Sequence, residues 1–245
     1  RVSDLTELFA ATQTLAMHPK LLQIEQLTIL TNGGGPGVMA VDSLLQSSGK
    51  LTQLNEETRA ALNKVIPQSD MTSNPVDIFG DSSPARYKQA LEILLHAKEV
   101  KNLLIIHTPS AIAPSEEYAQ IIAQTLNTLP KMARPYVITN FMGEDAAYPA
   151  RKLCSTHAIP TYRTPEGAVR AYMHLVIYRR NQKHLTQTPE SNTDNAKINK
   201  SAAKELVHQF LADQQSYLST HQSSQILAHY GIKCIQTEVA YTPTE

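Results

Sequence analysis

The sharpest chemical signal in the sequence is Thr31-Asn32-Gly33-Gly34-Gly35-Pro36-Gly37-Val38-Met39-Ala40. A β-rich run, a glycine loop and a helix follow one another there without a gap. Backbone N–H groups at a helix start, with the positive end of the helix dipole behind them, favour an anion. Gly33, Gly34, Gly35 and Gly37 admit φ > 0 and keep side chains away from a ligand. Pro36 fits the first helical position, where an N–H is not missed. The loop therefore reads as a phosphate-type site built from Asn32 and the backbone of residues 33–38. A tight turn with no ligand is the plain alternative. The run Gly35-Pro36-Gly37-Val38-Met39-Ala40 also fits a relaxed dinucleotide fingerprint. That site needs an acid at the end of the second strand, and Glu56 and Glu57 open a helix instead. Gly49-Lys50 is followed by Leu51 and comes after the helix, so a Walker A loop is excluded.

Other candidates stand where a parallel sheet presents its ligand-facing groups, at the carboxyl ends of strands. Asn74-Pro75-Val76-Asp77 joins an extended residue before proline to a carboxylate. An Asx turn or a helix cap accounts for Asp77 equally well. His107, with Thr108 and Ser110, follows the apolar run Leu103–Ile106. It is a candidate general base or phosphoryl carrier. The competing reading is a hydrogen-bonded histidine beneath a loop. Asn140 ends the next run, and Glu144 and Asp145 follow Gly143 where acids cap helices. No Ser-His-Asp order and no metal-ligand spacing stands out; His221 and His229 share no short motif. Cys154 and Cys234 stand far apart with no Cys-x-x-Cys, against a zinc knuckle or redox pair. They fit a reducing, cytoplasmic setting.

The elements that must position these residues alternate. Residues 1–24 read as an approach helix, with Asp4 as cap and Leu5, Leu8, Phe9, Thr12 and Leu15 at helical spacing. Strand 27–31 precedes a helix with Val38, Val41, Leu44 and Leu45 on one face, closed by Gly49. A helix over 56–65 stops at Pro67, and 74–78 is extended. Pro84 opens a helix whose apolar face is Leu91, Leu94 and Leu95. Strand 103–106, helix 114–129, strand 136–139, helix 146–156, strand 159–162 and helix 165–178 complete the series. The continuous apolar run at 103–106 is the pattern of a strand buried on both faces. Arg179, Arg180, Lys183 and His184 fall in that last helix's final turn, where cations are favoured. The fold class is α/β: a parallel sheet with helices on both faces, flavodoxin- or Rossmann-like. Residues 186–195 carry no apolar side chain and read as a linker. Helices near 202–218 and 222–230 and an alternating run at Ile232, Cys234, Ile235 and Val239 then open a further unit.

Composition sets outer bounds. Twenty-two Lys+Arg balance 22 Asp+Glu over 245 residues, which excludes a dedicated nucleic-acid binder with a strongly basic face. No apolar run approaches the ~20 residues of a membrane helix, and no signal-peptide pattern opens the sequence. A chain that starts at Arg1 is expected to be a piece of something longer.

Residues 27–40 and Ser73-Asn74-Pro75-Val76-Asp77 resemble the ligase-CoA-like domain of the NDP-forming acyl-CoA synthetases, relatives of succinyl-CoA synthetase. Gly143-Glu144, residues 159–166 and Val169-Arg170-Ala171 continue the resemblance, which covers nearly all of residues 1–180. Residues 161–167 with Tyr178-Arg179-Arg180-Asn181-Gln182-Lys183 look like the bacterial Pat-type protein lysine acetyltransferases, which fuse this region to a GNAT domain. The tail resembles the entry to an ATP-grasp domain. The resemblance implies a ligase-CoA-like domain at 1–184, a linker at 185–200 and the start of an ATP-grasp domain at 201–245. It also implies that Gly33, Gly34, Gly35 and Gly37 hold a phosphate and face a phosphohistidine supplied by another domain, expected before Arg1. Acyl-CoA, ATP or ADP and phosphate are implied for the whole protein, with no metal in this piece. Neighbouring CoA-binding and ATP-grasp domains are the implied partners; assembly into a homo-oligomer is left open. The first reading is a piece of a Pat-type acetyltransferase, inactive alone. The alternatives are part of a true ADP-forming acetyl-CoA synthetase and a non-catalytic assembly module.

Overall fold

The computed structural model describes residues 2, 4–17, 24–66, 73–130, 134–187, 198–235, 240 and 242. The chain divides into two compact units, Arg1–Gln187 and Thr188–Glu245. No helix among the described residues is long and apolar enough to cross a membrane.

The first unit is a parallel sheet between two helical layers. Its strands are β1 (Gln26–Thr31), β2 (Lys50–Leu51), β3 (Val76–Asp77), β4 (Asn102–His107), β5 (Tyr136–Phe141) and β6 (Thr161–Tyr162). They run in the order β2-β1-β4-β5-β6, and β3 also pairs with β1. The register explains this. β2 pairs with the start of β1 (Gln26↔Lys50), and β3 pairs with its end (Thr31↔Asp77). β2 and β3 thus act as one interrupted strand along one edge of β1. Counted so, the order is the 2-1-3-4-5 of flavodoxin-like sheets, with a topological switch point between β1 and β4.

Period-2 alternation sorts the strand side chains between two cores. Leu27, Ile29, Leu104, Ile106 and Ile138 face α2 (Gly34–Gln46) and α7 (Pro165–Thr186). Leu30, Leu103, Ile105, Val137 and Phe141 face the opposite layer: α3 (Glu56–Asn63), α4 (Pro84–His96), α5 (Ser115–Thr128) and α6 (Tyr148–Thr156). Every residue of β4 is buried, as its unbroken apolar run requires. Each such buried Leu or Ile contributes about 1.5–3 kcal/mol.

Helix faces depart from the expected ones. α1 (Leu5–Met17) starts at Asp4, whose Oδ1 accepts from Glu7 N at 2.8 Å, as expected. Leu5 and Phe9 are nevertheless 71% and 70% exposed, while Ala11 and Thr14 are buried. Small side chains let α1 lie close on α7, and the Thr14 hydroxyl meets that of Tyr162. In α2 the buried residues are Gly37, Ala40 and Leu44, and Val38 and Leu45 are both 56% exposed. After α2 it is Ser48, at φ 57°, that takes the left-handed conformation. Gly49 is needed for space instead: a Cβ there would lie 2.3 Å from Leu44 Cδ1. α7 runs two turns past its expected end, so Arg179 and Arg180 are not terminal. They clasp Glu25, with Arg180 Nε to Glu25 Oε2 at 2.9 Å. Lys183 and His184 do occupy the last turn. The stop at Pro67 and most of the linker lie outside the described residues.

In the second unit, α8 (Lys200–Ala212) and α9 (Thr220–His229) pack on each other. A capping box of Ser219 and Gln222 starts α9, earlier than expected. No strand forms at Ile232–Ile235; Val239 lies outside the described residues.

Candidate functional site

The glycine loop sits at the switch point, and its glycines serve a purpose other than the expected one. Gly33 is the N-cap of α2 at φ −152°, and no loop glycine lies in the left-handed region. What they provide is room. A Cβ at Gly33 would fall 2.8 Å from Thr108 Oγ1, and one at Gly37 3.0 Å from Thr31 Cγ2. At Gly35 nothing lies within 4 Å. Pro36 is the third helical residue, not the first, and its missing N–H still costs nothing in an opening turn. Gly37 N donates to Gly33 O at 3.2 Å, which begins the helical ladder. Gly34 and Gly35 N–H precede that bond and stand at the positive end of the dipole. Val38 is beyond this opening.

Thr31 closes the loop on itself. Its Oγ1 accepts from Gly33 N at 3.0 Å and donates to Gly33 O at 2.9 Å. Sequence reasoning missed this residue; a threonine ending a strand before Asn-Gly is a local turn signal. Asn32 reaches across the switch point. Its Oδ1 accepts from Thr108 N at 2.7 Å and its Nδ2 donates to Thr108 O at 2.9 Å. The loops after β1 and β4 are thereby locked together, and Asn32 is 2% exposed. No local pattern marks Thr108 as its partner.

The two motifs at 27–40 and 73–77 meet because β3 pairs with β1. Asp77 follows the Asx-turn reading: its Oδ1 accepts from Phe79 N at 2.9 Å. Its Oδ2 lies 3.1 Å from where a Gly34 Cβ would be, so a carboxylate flanks the start of α2. Asn74 is joined to Pro75 by a cis peptide, and its side-chain amide is spent on backbone. Its Oδ1 accepts from Ile29 N at 2.9 Å, and its Nδ2 donates to Leu27 O at 2.8 Å and Thr52 O at 3.0 Å. It bridges the break between β2 and β3. The expectation of a ligand-facing Asn74 is corrected: this amide builds the sheet.

His107 is also corrected. Residues 103, 105 and 107 share a face, so the imidazole points into the α4–α5 core and not along the sheet edge. It is fully buried, with ring centroids 4.4 Å from Tyr118, 5.3 Å from Phe141 and 6.1 Å from Tyr87. Neither ring nitrogen has a hydrogen-bond partner. Burial lowers its pKa to about 4, so the ring is neutral. A group sealed there reaches no substrate, and the hydrogen-bonded alternative fails as well. Asn140 is buried and donates to Tyr162 O at 2.9 Å. Glu144 does not cap: Ala147 precedes α6, and Glu144 Oε1 holds Arg163 at 3.2 Å. Ser110 Oγ accepts a long bond from Ile112 N at 3.4 Å. Among the described residues no cluster of His, Cys, Asp or Glu could hold a metal ion. Among the described residues the edge thus offers two backbone donors on an open helix start, with the Asp77 carboxylate beside them and His107 turned away into the core.

A family model described as Ligase-CoA domain matches residues 27–174. The 4-hydroxybutyrate–CoA ligase (ADP-forming) of Nitrosopumilus maritimus is 25% identical over 245 residues, covering 100% of this chain and 34% of that protein. Acetate–CoA ligase (ADP-forming) I of Archaeoglobus fulgidus is 32% identical over 176 residues, covering 72% of this chain and 24% of that protein. The chain therefore spans about a third or less of the length of these relatives. The apo structure of a dinucleotide-forming acetyl-coenzyme A synthetase 1 from Ca. Korarchaeum cryptofilum has the same fold. Its TM-score is 0.70 at 23% identity, over 75% of this chain and 40% of that one.

Proposed function

The chain belongs to the Ligase-CoA domain family, and we propose that it is the Ligase-CoA part of an ADP-forming acyl-CoA synthetase, an acid–thiol ligase. The observation that carries this reading is the start of α2. It opens at the switch point with Gly34 and Gly35 N–H ahead of the helical ladder and open space over Gly35. A phosphoryl group carried by a neighbouring domain fits such a start, because the donors and dipole are fixed in advance. Asp77 repels an anion on the Gly34 side, so the phosphoryl group approaches over Gly35. Thr31 and Asn32 hold the loop. Acyl-CoA, ATP or ADP and phosphate belong to the whole enzyme, together with CoA-binding and ATP-grasp domains, the latter beginning near residue 201.

The ligase reading goes ahead of the acetyltransferase one. The relatives described above are CoA ligases. The Tyr178-Arg179-Arg180 run that resembled acetyltransferases has a local use, since both arginines bind Glu25.

The test is amide NMR of the 245-residue chain with inorganic phosphate and with CoA. Gly34 and Gly35 resonances are expected to shift at millimolar ligand. Gly35→Val is expected to abolish the shift and leave the remaining spectrum in place, because its Cβ meets nothing. In the whole enzyme it should lower acyl-CoA formation about a hundredfold, the scale of losing one fixed donor to developing charge. An unmoved loop would favour the assembly-module reading.

A further inference from the structure

The opening turn of α2 is short of donors. Gly33 N is spent on Thr31 Oγ1 at 3.0 Å, Pro36 has no N–H, and Gly37 N donates to Gly33 O at 3.2 Å. Of the N–H groups that a helix start leaves free, those of Gly34 and Gly35 remain. The N-cap, Gly33, brings no side chain to them. A serine, threonine, aspartate or asparagine at that position would close the start with its own oxygen.

A hydroxyl from another loop stands where that cap would be. A Cβ on Gly33 would lie 2.8 Å from Thr108 Oγ1, so the Thr108 hydroxyl fills the space of a capping side chain. Among the described residues its hydrogen-bond partner is Met142 Sδ at 4.0 Å, a weak acceptor. Its place is fixed from the backbone. Asn32 Oδ1 accepts from Thr108 N at 2.7 Å, and Asn32 Nδ2 donates to Thr108 O at 2.9 Å. Both main-chain groups of Thr108 are thus tied to the residue that precedes Gly33. Thr108 is half-buried, and its hydroxyl hydrogen turns to suit a better acceptor.

We propose that Thr108 is an anion-binding residue of the α2 start, its hydroxyl donating to the same oxyanion as Gly34 N and Gly35 N. This rests on the anion site proposed above and gives that site a third donor. Pro36 removes the third N–H of the helix, and the hydroxyl makes up for it from a different strand end. Hydrogen bonds to a charged acceptor are the strong ones, so one added donor matters there. The two flanks of the start differ: the Asp77 carboxylate stands against Gly34 and the Thr108 hydroxyl against Gly33. The second flank attracts an anion and the first repels it. Glycine at position 33 makes room for the hydroxyl, and the Asn32 clamp holds it there.

The test is amide NMR titration of the 245-residue chain with inorganic phosphate, in the parent and in Thr108→Val, Thr108→Ala and Thr108→Ser. Valine and alanine remove the hydroxyl and keep both backbone bonds to Asn32. Their ligand-free spectra should therefore match the parent's outside position 108 and its neighbours. Phosphate should bind each of them about tenfold or more weakly, the scale of one hydrogen bond to a charged group. Thr108→Ser keeps the hydroxyl and should bind close to the parent. A packing role would instead set serine with alanine, since both lack the methyl group, and that result would overturn the inference. So would Gly34 and Gly35 amides that respond equally in the parent, Thr108→Val and Thr108→Ala; the anion site itself would then stand. Amides unmoved by phosphate in the parent would overturn the site and this inference together.

Discussion

His107 makes the folded state sensitive to acid. Its imidazole has exchanged hydration for contacts with Tyr87, Tyr118 and Phe141, and no hydrogen bond compensates a charge there. Burial lowers the pKa from 6.5 to about 4, so the unfolded chain takes up the proton first. The stability tied to the neutral ring is fully present above pH 6.5 and is lost as pH falls toward 4. At about 1.36 kcal/mol per pH unit the loss is about 2 kcal/mol at pH 5 and about 3 kcal/mol at pH 4. His107→Leu should remove this part of the pH dependence. Urea unfolding at pH 7 and pH 5 would check it; equal slopes for variant and parent would refute it. The residue was visible in the sequence as the one that follows an apolar strand. Its direction follows parity with Leu103 and Ile105, but in a strand apolar on both faces parity alone does not separate core from sheet edge. The cage around it was not visible, because Tyr87 and Tyr118 come from two separate helices.

At the scale of elements, one side chain splices the edge of the sheet. β2 and β3 are two residues each, too short to be stable pairs alone. The Asn74 amide spans the gap between them and satisfies Ile29 N, Leu27 O and Thr52 O. Asn74→Ala would leave the buried Ile29 N–H unpaired. The expected cost is at least about 2 kcal/mol, read from chemical denaturation, with faster hydrogen exchange at Ile29. A variant as stable as the parent, with an unchanged Ile29 amide, would mean another group takes over the splice. A second remote clasp works in the same way. Glu99 accepts from Asn55 N, Asn55 Nδ2 and Thr58 Oγ1 at the start of α3. These bonds hold its pKa below the ordinary carboxylate value, against the opposing effect of burial.

At the scale of the whole molecule, the chain comprises two units that meet between Gln187 and Thr188. We propose that they are a Ligase-CoA domain and the start of an ATP-grasp domain. The sequence of Thr188–Asn195 is polar throughout, the composition of a linker. A glutamate-specific protease is therefore expected to cut first after Glu190. A stable fragment containing the whole sheet should remain. Among the described residues the glutamates of the first unit sit on helices, in ion pairs as Glu25 and Glu144 do, or, for Glu99, in hydrogen bonds to Asn55 and Thr58. First cleavage inside residues 26–186 would place the boundary elsewhere.

The sequence by itself determined the alternation of strands and helices, the buried β4, the Pro84 and Pro165 helix starts, and the strand–glycine loop–helix succession. These rest on periodicity and local turn chemistry, which act over a few residues. It also carried the family, through motifs that stand close together. Only the tertiary structure decided what those motifs do to one another. Asn32 finds Thr108 across 76 positions, and Asn74 finds Leu27 across 47. Strand pairing alone sets such distances. Gly33 and Gly34 looked like hinges for unusual dihedrals and proved to be clearances, because Thr108 and Asp77 approach them from other parts of the fold. Which face of a helix is buried is likewise a property of its neighbour: α1 turns its small residues to α7 and leaves Phe9 outside.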